Sequence, residues 1–482
     1  MINKFKFLIP ILALALLLPL NSCEDLEELN VDPNNPTAVP AGNLFTQAQF
    51  VLNNRLWGRA LNAEWGMLMV QYWAQTEYTE EGRYDVDETS FNNDWIDIYA
   101  NALRELRAAV DFVNAEPTTA ELKANKLATL TIMEVHAWHN LTDGYGDIPY
   151  TQALNPAEFP LPAYDSQSDI YADLASRLRS AVGSIDSSID LGSFGTGDII
   201  YGGDLDAWKR LGNSLLLRIA MRMSNVDEAG ATSLINGMTP GDLISDNSQN
   251  AMFPFSSDPL LANPLYVDNV LGNRDDFGIS TTLVDQLTDL GDPRLMAYAA
   301  PTATGEIIGL PPTIDDATAI SLSPSTSRPA DAVRAATAPG VIIDAAEVHF
   351  MLAEAYERGL ISGGNAADAY ASGITASMNY WGIDDQDAID AYIAANPYDG
   401  ANFKESIGVQ KWVAFYMNGP QAWAEWRRLG FPELEVGTAA TLTEVPVRLP
   451  YPLSELQTNS TSLMDATSNP GDIQTRLWWD VD

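Results

Sequence analysis

Cysteine and histidine are nearly missing from this chain: 482 residues hold one cysteine and three histidines. Cys23 has no partner, so no intrachain disulfide can form. No cysteine is available as a nucleophile, and no Gly-x-Ser-x-Gly elbow is present. Zinc is poorly served too. His136 and His139 lie three apart, on one helical face, with Glu134 near. A zinc site needs a further, well-placed protein ligand, and the only other histidine is His349. Two packed or surface histidines are the plainer reading. Basic residues are scarce as well, 26 against 65 acidic, for a net charge of -39. That balance excludes nucleic acid, whose phosphates need a basic patch. It makes an anionic polysaccharide a poor ligand and favours neutral or cationic ones. Among so many carboxylates, neighbouring pairs arise by chance, so no glycosidase pair and no catalytic residue can be read from them. Calcium held by Asp143, Asp147 or Asp275-Asp276 is conceivable, but no EF-hand spacing supports it. The residues call for no cofactor and no metal. After the first twenty residues, no stretch has 18 unbroken apolar residues.

The start of the chain is different. Lys4 and Lys6 precede an apolar run from Phe7 to Leu20, interrupted by Pro10 and Pro19. A basic start and a short apolar core describe a secretory signal peptide. The run falls short of the roughly 20 apolar residues a spanning helix needs. It ends Leu20-Asn21-Ser22-Cys23, which resembles the lipobox of bacterial lipoproteins. That resemblance implies a cut before Cys23 and lipid on the cysteine; an ordinary signal peptide followed by a chance cysteine is the alternative. Several acyl chains anchor durably where one is marginal. Loss of the two lysines with the leader brings the mature charge near -41. From Glu24 the chain is acidic, then rich in Asn and Pro to Thr37, the composition of an extended tether.

Beyond the tether, helical periodicity dominates. It predicts helices over Leu44–Gln75, Trp95–Val113, Leu122–Leu141, Asp169–Ile185 and Leu205–Met223. Others are expected over Ala345–Arg358, Ala366–Trp381, Phe403–Tyr416 and Pro420–Leu429. Pro117 should stop the second helix and Asp143-Gly144 the third. A repeat is visible: DIYANALRELRAAV from Asp97 and DIYADLASRLRSAV from Asp169 agree at eight of fourteen positions. A looser echo begins at Asp368. Each belongs to a pair of helices with small residues, such as Ala353, Ala355 and Ala369, at the expected crossings. Pairs of this kind look like tetratricopeptide units, which must stack to bury their faces.

A series of motifs runs along the mature chain in order. They are Asn30-Val31-Asp32-Pro33-Asn34-Asn35-Pro36-Thr37, Asp143-Gly144-Tyr145-Gly146-Asp147-Ile148-Pro149-Tyr150, Asn213 to Arg222, and Asp292-Pro293-Arg294-Leu295. Then come Ala345-Ala346-Glu347 with Leu352-Ala353-Glu354-Ala355, Trp426-Arg427-Arg428-Leu429-Gly430, Arg448-Leu449-Pro450-Tyr451-Pro452 and Trp478-Trp479-Asp480. In this order and combination the chain resembles the SusD/RagB family of nutrient-binding lipoproteins, most closely its second SusD-like subfamily. The resemblance implies an all-α body of stacked tetratricopeptide-like pairs with a loop-rich irregular part. It also implies an outward-facing, lipid-anchored place on the outer membrane. There the protein would act as a lid on a SusC-like TonB-dependent transporter and capture a nutrient, usually a glycan. The expected organisation is a signal peptide over 1–22, an acidic lipidated tether over 23–40 and one domain over 41–482. Within that domain, helix pairs occupy about 41–225 and 345–430, the irregular part about 237–343, and C-terminal loops 437–482.

Sugars are held by aromatic faces with hydrogen-bonding groups at the rim. Trp65, Tyr72, Trp73, Tyr78, Arg83, Tyr84, Phe91 and Trp95 form a dense run of suitable types. Residues 74–94 are polar and loop-like, which places Tyr78, Tyr84 and Phe91 at a surface. Trp65 and Trp95 fall at helical spacing and read as core. The family resemblance adds the irregular middle, where Tyr266, Arg274, Asp275 and Phe277 are the candidates. The expected ligand-binding set is therefore Trp73, Tyr78, Arg83, Tyr84, Tyr266, Arg274, Asp275 and Phe277. Capture of peptides by the same architecture, or a surface hydrolase, remain the other readings.

Overall fold

The computed structural model describes residues Val39–Val481. The signal peptide, Cys23 and all but the end of the tether lie outside the described residues.

Among the described residues nine longer helices carry the fold: α1 (Ala41–Leu56), α2 (Arg104–Ala115), α3 (Ala120–Tyr145), α4 (Gln167–Ser184), α5 (Leu205–Met223), α6 (Ala345–Glu357), α7 (Ala366–Tyr380), α8 (Phe403–Ala414) and α9 (Gly419–Leu429). They pack as pairs: α2 on α3, α4 on α5, and α6 on α7. α4 also packs on α3, and α6 contacts α5 and α8, so neighbouring pairs share faces. Ala353 and Ala355 are fully buried where α6 meets its neighbours. Gly373 of α7 lets the Phe350 ring of α6 approach, since a Cβ there would sit 2.9 Å from it. The expected helix pairs and all-α class describe the molecule.

The helix starts follow side-chain capping. Thr119, Ser166, Asp204, Asp344 and Asn365 each accept a backbone N–H of the first turn of α3, α4, α5, α6 and α7. Two expectations fail locally. The helix predicted over Leu44–Gln75 breaks after Leu56. Gly58 is extended, a π-helical stretch covers Arg59–Met67, and a strand follows. α3 runs through Asp143-Gly144 and stops only at Gly146, whose φ is +84°. Asp143 is kept in the helix by its buried partners, and Gly144 by the Leu449 side chain that packs where a Cβ would be.

The strands of the described residues are short and occur as three antiparallel ribbons: β1 (Trp73–Gln75) with β5 (Phe277–Ile279), β2 (Ile148–Pro149) with β3 (Tyr164–Asp165), and β4 (Ala251–Phe253) with β6 (Gly340–Ile343). One of them, β1–β5, ties the irregular middle to the helical body, and β4–β6 closes the middle on itself just before α6. The tail beyond Gly437 is mostly loop, with short helices at Leu453–Thr458 and Ser460–Ala466. Its Trp479 is fully buried, with the guanidinium groups of Arg222 and Arg427 5.1 and 4.7 Å from its ring.

A balanced charge network lies at the centre. Glu425 of α9 meets Arg428 at 2.7 Å, Lys411 of α8 at 2.7 Å and Arg222 of α5 at 3.0 Å. Arg428 also makes a two-pronged contact with Glu354 of α6, both bonds 2.6 Å. Arg222 reaches Asp143 at 2.8 Å, and Arg218 holds Glu347 through two 2.6 Å bonds. Such groups tolerate burial only because each charge is paired and hydrogen-bonded. No helix among the described residues is long and apolar enough to cross a membrane.

Candidate functional site

The ribbon β1–β5 positions the candidate face. Its register sets Trp73 opposite Ile279 and Gln75 opposite Phe277. Trp73 and Phe277 are buried, their rings 5.3 Å apart, and Trp73 Nε1 donates to the Tyr416 hydroxyl at 3.0 Å. They form the floor. Above it, the chain leaving β1 is fastened on both sides. Thr76 donates through its N–H to the Asp276 carbonyl at 2.7 Å and through its hydroxyl to the Asp275 carbonyl at 2.9 Å. Thr79 N–H donates to an Asp316 carboxylate oxygen at 2.9 Å. Between these fastenings stands Tyr78, 56% exposed and with φ +53°. An aromatic residue in the left-handed region costs about 1–3 kcal/mol and persists only where its surroundings enforce it. The outcome is an exposed ring on a fixed backbone.

Arg274 sits beside that ring, its guanidinium carbon 5.7 Å from the centroid. Asp276 orients it, accepting from Nε at 2.9 Å and lying 2.6 Å from Nη2. The same buried carboxylate accepts from Arg59 Nη2 at 2.7 Å, and Arg59 also pairs with Glu64 and, at 2.7 Å, with Asp268. Arg59 lies over the Phe277 ring, 4.9 Å from its centroid. Asp275 is the most open member, its side chain 59% exposed, with Arg328 at 2.7 Å and Arg334 at 3.6 Å. The face thus combines one aromatic platform with an arginine at its edge; that arginine and the adjacent Asp275 carboxylate are each held by further charges.

Of the eight candidates, the structure brings Tyr78, Arg274, Asp275, Trp73 and Phe277 into one region. Only the first three reach the surface. Arg83 is half-buried and donates to the Thr79 hydroxyl at 3.0 Å, which ties the loop to itself. Tyr84 and Phe91, expected at a surface, are buried: a short helical turn at Glu81–Arg83 folds the loop inward, and Phe91 packs edge-on against Trp65, 5.1 Å away. Trp65 and Trp95 are core, as their spacing implies. Tyr266 is half-buried in the turn before the π-helical stretch Val267–Leu271, with no ring contact to Tyr78. Arg59, Asp268, Asp316, Arg328 and Arg334 were not singled out in the sequence, and Asp276 only as a calcium carboxylate, a different role from the arginine clamp it makes here. The one available signal was the scarcity of arginine, but only the fold brings arginines from positions 59, 274, 328 and 334 together.

The histidines occupy other surroundings. His139 lies 3.3 Å from the Tyr171 hydroxyl and 3.5 Å from Asp143, and burial holds it at about 4. His136 is buried against Asn140. Among the described residues, no three His, Cys, Asp or Glu side chains converge as a metal site would require.

A family model of the second SusD-like type, described as "Starch-binding associating with outer membrane", matches residues 33–452. A solved structure named as a chitin-binding protein is 27% identical, covering 92% of this chain and 100% of its own, with a TM-score of 0.81. A chitin-binding SusD homolog from Flavobacterium johnsoniae is 22% identical over 91% of this chain and 99% of its own, with a TM-score of 0.77. A SusD homolog from Bacteroides uniformis is also 22% identical, with the same coverages and a TM-score of 0.76. At that identity the last two carry the fold alone. No curated protein matches the chain.

Proposed function

The chain belongs to the SusD-like family whose model spans it, and from that premise we propose a non-catalytic capture protein for a neutral polysaccharide or oligosaccharide. The mature protein is held to the outer membrane by lipid on Cys23 and faces the cell exterior. It passes its ligand to a SusC-like TonB-dependent transporter. The observation that carries this reading is the family match over residues 33–452. Three others support it. The net charge of -39 disfavours anionic polymers. The Tyr78 platform, with Arg274 at its edge, suits the apolar face and hydroxyl rim of a pyranose. Leu260, Leu261, Val267, Val270 and Leu271 are exposed within one stretch, an apolar surface of the kind partners cover. A similar structure, 27% identical and named for chitin binding, makes N-acetylated β-glycans the first ligands to try.

Two measurements test the proposal. The mature chain should be retained on an insoluble neutral polysaccharide and pass through an anionic one; retention by peptides alone would replace the ligand class. Tagged full-length protein, solubilised gently from outer membranes, should bring a β-barrel transporter with it. Repeated recovery without one would remove the partnership.

A further inference from the structure

A second pocket lies where Trp57, the 332–341 segment, the start of α6, the end of α7 and the Phe415–Asn418 turn meet; it shares none of the eight candidate residues, and only Tyr416, whose hydroxyl accepts from Trp73, borders both. Its volume is about 80 Å³. The walls are largely aromatic: Trp57, Tyr380, Trp381, Phe415 and Tyr416. One carboxylate, Asp344, is set among them. Its Oδ1 accepts the Glu347 N–H at 2.8 Å and caps α6, whereas Oδ2 receives no hydrogen bond from the described residues. No lysine or arginine pairs with it among those residues. The two cations that favour its charged form, Arg218 and Lys411, are committed to Glu347 and Glu425. Burial pushes the Asp344 carboxyl up to about 7, with Glu347 adding to the rise. Tyr380 is pushed up too, by burial and then by Asp344, so the two share a wall. The indole Nε1 of Trp381 is buried and has no acceptor among the described residues.

We propose that this pocket is a ligand subsite that takes the ammonium group of an amino sugar. Aromatic faces attract a cation, and an unpaired carboxylate among them adds a charge-assisted hydrogen bond. A neutral occupant gives the carboxyl no counter-charge and leaves it to take up a proton, whereas an ammonium group favours its charged form. Size limits the occupant further. A cavity of about 150 Å³ accepts a benzene ring, so this one admits an ammonium-sized substituent and leaves the pyranose at the rim, where Ala332 is exposed. The excess of acidic residues favours the same sign of ligand. The choice of a sugar as carrier of the amine rests on the glycan-capture reading; the choice of an ammonium group does not.

The test uses Asp344→Asn, which keeps a capping oxygen for α6 and removes the charge. Wild type and variant are titrated calorimetrically with a β-1,4-linked glucosamine oligomer and with its fully N-acetylated counterpart. The glucosamine oligomer should bind wild type and lose at least tenfold in affinity for the variant, while the acetylated oligomer binds both alike. Equal affinity of the glucosamine oligomer for the two proteins overturns the subsite. So does binding of the acetylated oligomer alone to wild type, which leaves glycan capture standing. If neither oligomer binds, glucosamine-based glycans are not the ligand, whatever the retention on other neutral polysaccharides shows of glycan capture, and methylammonium followed through the indole N–H resonances of Trp57 and Trp381 decides the remainder. A saturable shift lost in Asp344→Asn supports an ammonium site, and its absence in wild type overturns it.

Discussion

Glu425 accepts three cations in a site with almost no solvent, and they hold its carboxyl well below the usual carboxylate range, Arg428 foremost, against the opposing effect of burial. Glu354, gripped by Arg428, is lowered for the same reason. A carboxyl depressed in the folded state adds stability above its unfolded value, near 4.3, and loses it as the pH falls toward the folded value. Glu425→Gln leaves Arg222 and Lys411 partly unpaired and should cost about 3–5 kcal/mol. It should also flatten the acid limb of the stability curve; urea denaturation between pH 3 and 7 reads both. A variant within 1 kcal/mol of wild type, with an unchanged acid limb, would sink the assignment. This network explains what the sequence motifs record. Asp143, Arg218, Arg222, Glu347, Glu354 and Arg428 all lie in motifs that carried the family resemblance, and all are buried ion partners. Those motifs therefore encode the scaffold. The ligand face rests on Tyr78 and Arg274, which lie in none of them.

At the scale of elements, helix pairs were legible because buried positions recur with helical period and capping residues stand at their starts. The break after Leu56 was not legible, because its cause is distant in sequence. Gly66 of the π-helical stretch lies against Gly419 at the start of α9, and a Cβ on Gly66 would fall 2.3 Å from the Gly419 carbonyl carbon. Backbone meets backbone there, so neither side can yield by a rotamer change. The same contact brings Asn62 Oδ1 to the Gly419 N–H at 2.9 Å. The stretch also begins with Arg59, which holds Asp276 and through it Arg274. Gly66→Ala should destabilise by about 3 kcal/mol, the upper end of what overpacking usually costs. A shift of the urea midpoint with unchanged slope would show it, and a midpoint equal to wild type would contradict the close packing. The orientation of Arg274 thus depends on a helix irregularity that periodicity alone reads as a longer α-helix.

For the whole molecule, the sequence held the class and the order of helices, but not which aromatics face outward. Tyr84 and Phe91 lie in a polar stretch yet turn inward, because short turns and the Trp65 ring offer them burial that sequence spacing does not reveal. Tyr78 alone of that run stands open, on a backbone fixed at both flanks. The central claim is that this ring is the platform for a neutral glycan. Calorimetric titration of the mature chain with a neutral oligosaccharide, beside Tyr78→Phe and Tyr78→Ala, tests it most directly. Loss of the ring should weaken binding at least tenfold, about 1.4 kcal/mol, while Tyr78→Phe, which keeps the ring, stays near wild type and neither variant changes the melting temperature by more than a few degrees. Wild-type affinity in Tyr78→Ala would contradict the account.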